Sequence, residues 1–292
     1  DFFKDKGLHN ESIDLGFNHK SGLFVNGGYT RNNHGGWQGD LTGREKRWHP
    51  KDQALMNGMF GFQNRNMNVW YRLDFLDEKI FGPNNGSELQ PEKVSDKDFL
   101  TKRYTHQLQS DWKLDNRLDV HAALSYQDYK RRTRTTESDL STGEKWLSSA
   151  EASQDITQYK AWIARATVGL NIAPEFSVQP GVEYQWTQGE GGRIDGTPKV
   201  SDLAFFLSAE YKPWEWLSLR PGVRTFIVAD YDAPIAIPSV LTKFKLTKHM
   251  DLRLSYAYGF RSPTLQELYF SFHNDNHDID GNPDLKAEYS HN

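Results

Sequence analysis

The segment Arg117-Leu-Asp-Val-His-Ala-Ala-Leu-Ser-Tyr-Gln127 shows the pattern on which the fold depends. Apolar side chains occupy every second position along it, namely Leu118, Val120, Ala122, Leu124 and Tyr126. Polar side chains fill most of the positions between them. Because successive side chains of a β-strand point to opposite faces, this period of two predicts a strand with one apolar and one polar face. Residues 251–261 repeat the alternation.

Similar alternation recurs along the whole chain and predicts about twelve strands. The predicted segments are 11–18, 21–31, 55–65, 66–76, 100–114, 116–130, 157–172, 175–188, 200–212, 215–228, 238–249 and 250–260. No segment shows a helical period over three turns. The sequence therefore predicts an all-β protein, with residues 1–292 forming one domain.

The connections between these segments alternate in length. Short ones fall near residues 20–21, 64–66, 115–116, 173–174, 213–214 and 248–249. Long ones fall at 32–54, 77–99, 131–156, 189–199, 229–237 and from 261 onward. Such alternation predicts consecutive antiparallel strands with all elaboration at one end, which is typical of an antiparallel transmembrane β-barrel. A soluble β-sandwich or propeller would show Greek-key irregularity or a long internal repeat, and neither is found.

The composition agrees with a barrel wall. Aromatic residues make up 13% of the chain, yet the mean hydropathy is only −0.76. No apolar run is long enough for a membrane helix, whereas a barrel strand needs only about 10 alternating residues. Aromatic side chains near strand ends are expected in the interfacial girdles; these are Trp112, Trp162, Trp186, Tyr211, Trp214, Trp216 and Tyr231.

Other counts exclude several classes of function. The chain has no cysteine, which removes disulfides, thiolate metal sites and cysteine nucleophiles. A net charge of −4 gives no reason to expect a nucleic-acid partner. No Ser/His/Asp grouping at strand ends indicates a hydrolase. Both ends of the sequence are expected to be cuts through a larger protein.

Two short boxes follow the last alternating segment. The first is Phe260, Arg261, Ser262 and Pro263, and the second, beyond a polar loop, is Asn282, Pro283, Asp284 and Leu285. The pair closely resembles two boxes in the barrels of TonB-dependent outer-membrane receptors. Residues 178–184, 204–213 and 217–224 resemble barrel hairpins of the same family more loosely. The family usually has Ala where Ser262 stands and often Pro where Ala287 stands.

The resemblance implies a 22-strand barrel in the cell outer membrane of a Gram-negative bacterium, closed by an N-terminal plug. This chain would supply about half of the strands and none of the plug. The implied function is active import of a ferric siderophore, heme or cobalamin, with no covalent chemistry and no intrinsic cofactor. Implied partners are the TonB complex, through a region missing here, and membrane lipid including lipopolysaccharide. The rivals are a passive porin-like channel and a soluble β-rich binding module.

The loop between the boxes carries His273 and His277. Heme-uptake members of the family have a histidine in this loop, and neutral imidazole is a natural axial ligand of heme iron. An ordinary polar loop whose histidines bind nothing has the same composition. A calcium site over Asn276, Asp278 and Asp280 is the third interpretation, but its closing acidic ligand falls one residue late, at Glu288.

Three further surface features are candidates for contact. In loop 32–54, Trp37, Arg44 and Trp48 could bind a planar anionic ligand, with His34, Arg47 and His49 nearby. An ordinary solvated loop could have the same composition. The basic run 130–134 could meet lipopolysaccharide or substrate carboxylates, or simply form a charged loop base. Arg261 is predicted to pair with an acidic neighbour such as Glu267 and to position the loop, while Asn282 and Pro283 are turn formers.

Overall fold

The computed structural model describes residues 7–150, 153–228, 233–274 and 277–292. Tyr231 and Asn276, singled out above, lie outside the described residues. The strands are β1 Leu8–Asn18, β2 Leu23–His34, β3 Lys51–Gln63, β4 Met67–Gly82, β5 Lys93–Lys113, β6 Leu118–Asp139, β7 Lys145–Leu147, β8 Ile156–Ala173, β9 Phe176–Glu190, β10 Lys199–Trp214, β11 Leu217–Val228, β12 Ile237–Thr247, β13 Met250–Arg261, β14 Ser271–Asn274, β15 His277–Asp280 and β16 Glu288–His291. One short helix, α1, covers Leu265–Tyr269.

The strands form one large antiparallel sheet and one small hairpin. The sheet order is β1-β2-β3-β4-β5-β6-β8-β9-β10-β11-β12-β13-β16, with β7 paired to β6. Strands β14 and β15 pair with each other. Among the described residues, no helix has the length and apolar character needed to cross a membrane.

Each of the twelve predicted segments overlaps one strand of the sheet, and the alternation gives no signal for four short strands, β7, β14, β15 and β16. The loops at 77–99 and 131–156 were predicted too long, because β5 and β6 extend well beyond their apolar alternation and pair from Lys93↔Asp139 to Lys113↔Asp119. Backbone hydrogen bonds continue there between polar residues, where a hydropathy pattern gives no signal.

Register places an unbroken apolar row across ten strands. It runs through Phe17, Val25, Phe60, Tyr71, Leu108, Leu124, Ala164, Tyr184, Leu203 and Ile227. We call the surface that carries this row the apolar face. Large apolar side chains on it, such as Phe17, Phe60 and Ile227, are exposed. A wide exposed apolar band on a sheet is typical of a wall that faces lipid.

The opposite surface, here the polar face, carries most of the charge. One position along the strands, the neighbouring row reads Asn26, Met59, Arg72, Gln107, Ser125, Ile163, Gln185 and Asp202. Polar side chains pair on it, as in the Arg72–Asp74 and Lys243–Asp251 ion pairs of 2.7 and 2.9 Å. An interior that is polar suits the wet lumen of a barrel.

Connections at the two ends of the sheet differ as predicted. At the short-turn end they cover 19–22, 64–66, 114–117, 174–175, 215–216 and 248–249, and at the long-loop end 35–50, 83–92, 140–155, 191–198, 229–236 and 262–287. Side chains close the tight turns, for example Asp115, whose Oδ1 accepts from the backbone of Arg117 and Leu118 at 2.6 and 2.8 Å. Trp214 and Trp216 stack at 5.2 Å beside one such turn, as suits an interfacial pair.

Candidate functional site

The first box forms the end of β13, and its arginine holds three elements together. Arg261 donates to both carboxylate oxygens of Glu267 in α1 at 3.1 Å. It also donates to both oxygens of Glu288 in β16, at 3.0 and 2.8 Å. The predicted pairing of Arg261 with Glu267 is therefore confirmed. Two forked carboxylate contacts fix the guanidinium plane, so this arginine positions the loop.

Helix α1 begins at a capping box. Thr264 is the N-cap, its hydroxyl accepts from the Glu267 backbone N–H at 3.3 Å, and Glu267 Oε2 accepts from the Thr264 N–H at 2.7 Å. The same carboxylate faces Arg261. The Arg261 contact, followed by the Thr264 hydrogen bonds, lowers the pKa of Glu267 to about 2. Glu267 is thus an anion throughout the physiological range.

The second box lies across the end of this helix. The Asn282 N–H donates to the Glu267 carbonyl at 3.0 Å, and the Gly281 N–H donates to the Phe270 carbonyl at 2.5 Å. A Cβ at Gly281 would lie 2.7 Å from the backbone of Leu268 and Tyr269, so only glycine fits this crossing. The two boxes therefore clamp α1 from both sides, which agrees with the turn-forming role predicted for Asn282 and Pro283.

The clamped segment packs onto the polar face at the long-loop end. Leu265 and Leu268 are buried, and Leu265 lies against Gly189 of β9. Gln266 Nε2 donates to the Tyr159 hydroxyl at 2.9 Å. A cavity of about 400 Å³ lies between the segment and the wall. Its lining is mixed, with Tyr159, Gln185, Thr187, Val200 and Asp202 from the wall and residues 262–266 from the segment.

The hairpin β14–β15 projects from this segment and is tied to the β9–β10 connection. The Ser271 N–H donates to the Arg193 carbonyl at 3.0 Å, and the Arg193 guanidinium lies 4.3 Å from the centre of the Phe272 ring. The Asp195 N–H donates to the Tyr269 carbonyl at 3.0 Å. Two connections at the long-loop end thus form a single surface.

His273 stands exposed on this hairpin between two carboxylates. Its Nδ1 contacts Asp278, and its Nε2 lies 3.1 Å from Asp280. The Asp278 hydrogen bond, helped by the Asp280 charge, raises the pKa of His273 above its ordinary value. Ligand atoms of the three residues lie within 4.8 Å of one another, a spacing that could hold a metal ion. The side chain of His277 is outside the described part of the chain.

The structure places Arg44 between two connections at the long-loop end. Its guanidinium donates to Asp96 at 2.9 and 2.6 Å and to the Asn84 carbonyl at 2.7 Å. Its backbone N–H donates to Asn85 Oδ1 at 2.7 Å. These bonds join the 35–50 connection to the 83–92 connection, and they give Arg44 a scaffolding position.

Trp37 and Trp48 lie together on the same surface. Their backbones exchange two hydrogen bonds of 2.9 and 3.0 Å, and their rings meet edge to face at 5.6 Å. The rings remain 52% and 63% exposed. The His34 ring lies 6.1 Å from that of Trp48. Exposed aromatic rings held on a backbone bridge can stack on a planar ligand without first being ordered.

An ionic cluster on the polar face was not predicted. Glu183 is only 8% exposed. It accepts from Arg224 at 2.6 Å, from Gln185 at 3.0 Å and from Arg165 at 3.3 Å. Arg165 also lies 4.7 Å from the Phe206 ring centre. Alternation predicts that each of these residues lies on the polar face of its own strand. They come from three strands, β8, β9 and β11, and only the register between those strands brings them together.

The basic run 130–134 divides between the two faces. On β6, the face that carries Leu124 and Tyr126 also carries Lys130, Arg132 and Arg134. Arg131 points to the polar face and lies 4.7 Å from the Phe99 ring centre. Arg134 forms an ion pair with Asp98. Because a strand alternates, the run cannot act as one continuous basic surface.

Comparison with known proteins identifies the family to which this sheet and its clamped loop belong. The model of the family described as TonB dependent receptor-like, beta-barrel matches residues 5–292. The chain therefore belongs to the TonB-dependent receptor β-barrel family, as the two boxes predicted. This is a family of receptors and transporters rather than enzymes. No curated protein sequence matches the chain.

Solved structures show the same fold. The siderophore receptor PirA from Pseudomonas aeruginosa matches with a TM-score of 0.72 and 12% identity, over 97% of this chain and 48% of that one. A mutant of the ferric enterobactin receptor PfeA from the same organism matches with a TM-score of 0.68 and 14% identity, over 98% of this chain and 47% of that one. The outer membrane transporter YddB from Escherichia coli matches with a TM-score of 0.67 and 12% identity, over 89% of this chain and 39% of that one. The chain thus spans about half the length of these receptors or less.

Proposed function

We propose that this chain is the barrel portion, as a single domain, of an outer-membrane receptor that imports an iron complex, either a ferric siderophore or heme. The family match over residues 5–292 carries this proposal. Receptors for siderophores recur among the solved structures with this fold. In this proposal the remaining strands of a 22-strand barrel, the plug and the contact with TonB belong to the parent protein.

The long-loop end supplies suitable contacts for such a ligand. The exposed rings of Trp37 and Trp48 can stack on the planar groups of heme or a catecholate siderophore. In this proposal Arg44 supports them by holding the connection to Asp96, rather than by direct contact. His273 offers a nitrogen to iron once a neighbouring aspartate gives it up, and His277 adjoins it in the hairpin.

Transport would need no covalent chemistry and no intrinsic cofactor. The ligand would bind at the long-loop end and pass along the polar face, whose charged side chains keep that route hydrated. Energy would come from the TonB complex through the missing part of the receptor. Membrane lipid, including lipopolysaccharide, would surround the apolar face.

The proposal is tested by uptake in cells that carry or lack the full receptor. Labelled ferric catecholate siderophore, heme and cobalamin serve as separate probes, each with and without a protonophore. We expect saturable uptake of an iron complex that needs the receptor and stops when the proton gradient collapses. Saturable uptake of cobalamin alone would change the substrate. Unsaturable uptake that survives the protonophore would identify a passive porin-like channel instead.

A heme titration separates the two iron ligands. The full receptor in detergent is followed by absorbance beside a His273→Ala/His277→Ala variant. The control is His19→Ala/His249→Ala, which removes two histidines from the short-turn end. If these loop histidines ligate heme, the Soret shift saturates in the wild type and the control and is lost in the loop variant. No shift in any of the proteins would leave siderophores as the proposed ligands.

A further inference from the structure

Three cations form a compact group on the apolar face near the long-loop end. We call Lys102, Lys130 and Arg132 the cationic patch. Lys102 of β5 lies directly opposite Lys130 of β6, and Arg132 lies two residues beyond on the same face. All three are exposed. Directly opposed residues have Cβ atoms about 4.5–5.5 Å apart, so the two ammonium groups can reach one anion together.

The patch costs stability unless an anion offsets it, because like charges opposite each other on a sheet repel. Acidic neighbours offset it only in part. Asp77 of β4 lies directly opposite Lys102, and its carboxylate is 3.9 Å from the Lys102 ammonium, at the outer limit of an ion pair. Asp128, two residues from Lys130, accepts a hydrogen bond of 2.7 Å from Gln158. The chain itself therefore leaves an excess of positive charge at this place.

Aromatic rings follow the patch along the apolar face toward the short-turn end. Tyr104 is two residues from Lys102 and lies 4.7 Å from Phe75, while Tyr126 is four residues from Lys130 and lies 4.4 Å from Trp162. Leu108 and Leu124 follow in the apolar row. Along the apolar face the order is thus cation, aromatic ring and aliphatic side chain, which matches the headgroup, interface and acyl layers of a membrane.

We propose that the cationic patch binds the phosphate groups of a phosphorylated membrane glycolipid, of which lipopolysaccharide is the outer-membrane example, with acyl chains lying on the apolar row. This inference rests on the membrane location in the proposed function and adds a site to it. Lys102 and Lys130 share one phosphate from adjacent strands, and Arg132 offers a forked contact to a second phosphate or to the same one. The aromatic row marks the depth at which the headgroup ends.

The site is tested by native mass spectrometry of the full receptor in detergent, titrated with diphosphorylated lipid A and with the same lipid after removal of its phosphates. We expect the phosphorylated form to bind more tightly. For Lys102→Ala/Lys130→Ala we expect roughly 30-fold weaker binding, which corresponds to about 1 kcal/mol per lysine near an anionic surface. Lys102→Arg/Lys130→Arg should retain binding, since it keeps both charges.

The matched control is Lys97→Ala/Arg103→Ala, which removes two charges from the polar-face positions of the same strand, β5. We expect it to bind lipid A as the wild type does. Equal binding by the Lys102→Ala/Lys130→Ala variant, equal loss in the control, or equal affinity for the dephosphorylated lipid would each overturn the inference. A receptor that needs no detergent to stay in solution would instead refute the membrane location itself.

Discussion

Arg261 and Glu267 are joined by two hydrogen bonds of 3.1 Å, between the last residue of β13 and the middle of α1. The same guanidinium bonds to Glu288 at the start of β16. One side chain thus fixes where the strand ends, how the helix is oriented and where the chain returns to the sheet. The arginine of the first box therefore has a structural role at this junction.

Replacing this arginine should loosen the loop without unfolding the sheet. In Arg261→Ala, two carboxylates lose their shared cation and repel each other, while the register of β12 with β13 stays intact. We expect several-fold faster protease cleavage within residues 262–287. The comparison is Arg253→Ala, which removes the same charge from the same strand away from the loop. Equal cleavage rates in the two variants would contradict the positioning role.

The Glu267 carboxylate predicts a defined acid dependence. Its folded pKa is about 2, below the ordinary value, so its contribution is complete above the unfolded pKa and is lost as the pH falls through the folded one. We expect amide-exchange protection of α1 to persist below pH 4.5 and to fall as the pH approaches 2. In Arg261→Ala the loss should move to higher pH. Loss of amide-exchange protection already near pH 4.5 in the wild type would contradict the predicted contribution of the Glu267 carboxylate.

The strands were predictable because their signal is local. Alternation with period two depends only on neighbouring residues of the same strand, and it located all twelve long strands of the sheet. The pairing of Arg261 with Glu267 was predictable for the same reason, since six residues separate them. The capping box of α1 was missed although Thr264-Leu-Gln-Glu267 carries its signature.

Long-range partners could not be predicted. Nothing in loop 32–54 shows that Arg44 bonds to Asp96, which lies 52 residues away. The composition of the loop therefore predicts Arg44 as a ligand contact beside the two tryptophans, whereas the structure shows its bonds to Asp96 and Asn84. The same holds for Glu183, whose partner Arg224 is 41 residues distant. Such contacts depend on the register of several strands, which a single sequence does not reveal.

The crossing at Gly281 should not accept a side chain. In Gly281→Ala the new Cβ meets the Leu268 carbonyl at 2.7 Å, and backbone cannot move aside as a flexible side chain could. We expect a local cost of about 1–3 kcal/mol, seen as faster amide exchange at Gly281 and Asn282. Gly58→Ala is the control, because nothing lies within 4 Å of a Cβ there. Unchanged exchange in Gly281→Ala would refute the close crossing.

The ionic cluster on the polar face should matter for the stability of the wall. Glu183→Ala leaves Arg165 and Arg224 facing each other with no carboxylate between them. We expect a loss of about 1–3 kcal/mol in the free energy of unfolding, measured from urea transitions in detergent. Glu183→Gln should lose less, because its amide oxygen still accepts a hydrogen bond. Glu144→Gln, which alters an exposed carboxylate in a connection, should behave as the wild type.

Trp48 and Arg44 should differ in how they affect ligand binding. Trp48→Ala removes an exposed ring that contacts Trp37, while the Arg44–Asp96 bonds stay in place. If the rings stack on a planar iron complex, the affinity should fall by about 1–2 kcal/mol, or roughly 5- to 30-fold, with unchanged protease resistance of the loop. Arg44→Ala should instead raise cleavage in 35–50 and 83–92 together, because it releases both connections. Titration with ferric siderophore or heme, beside limited proteolysis, measures both effects.

A Trp48→Ala receptor with wild-type affinity for every iron complex would remove the tryptophan pair from the binding site. An Arg44→Ala receptor with intact loops and weaker binding would make the arginine a direct ligand contact.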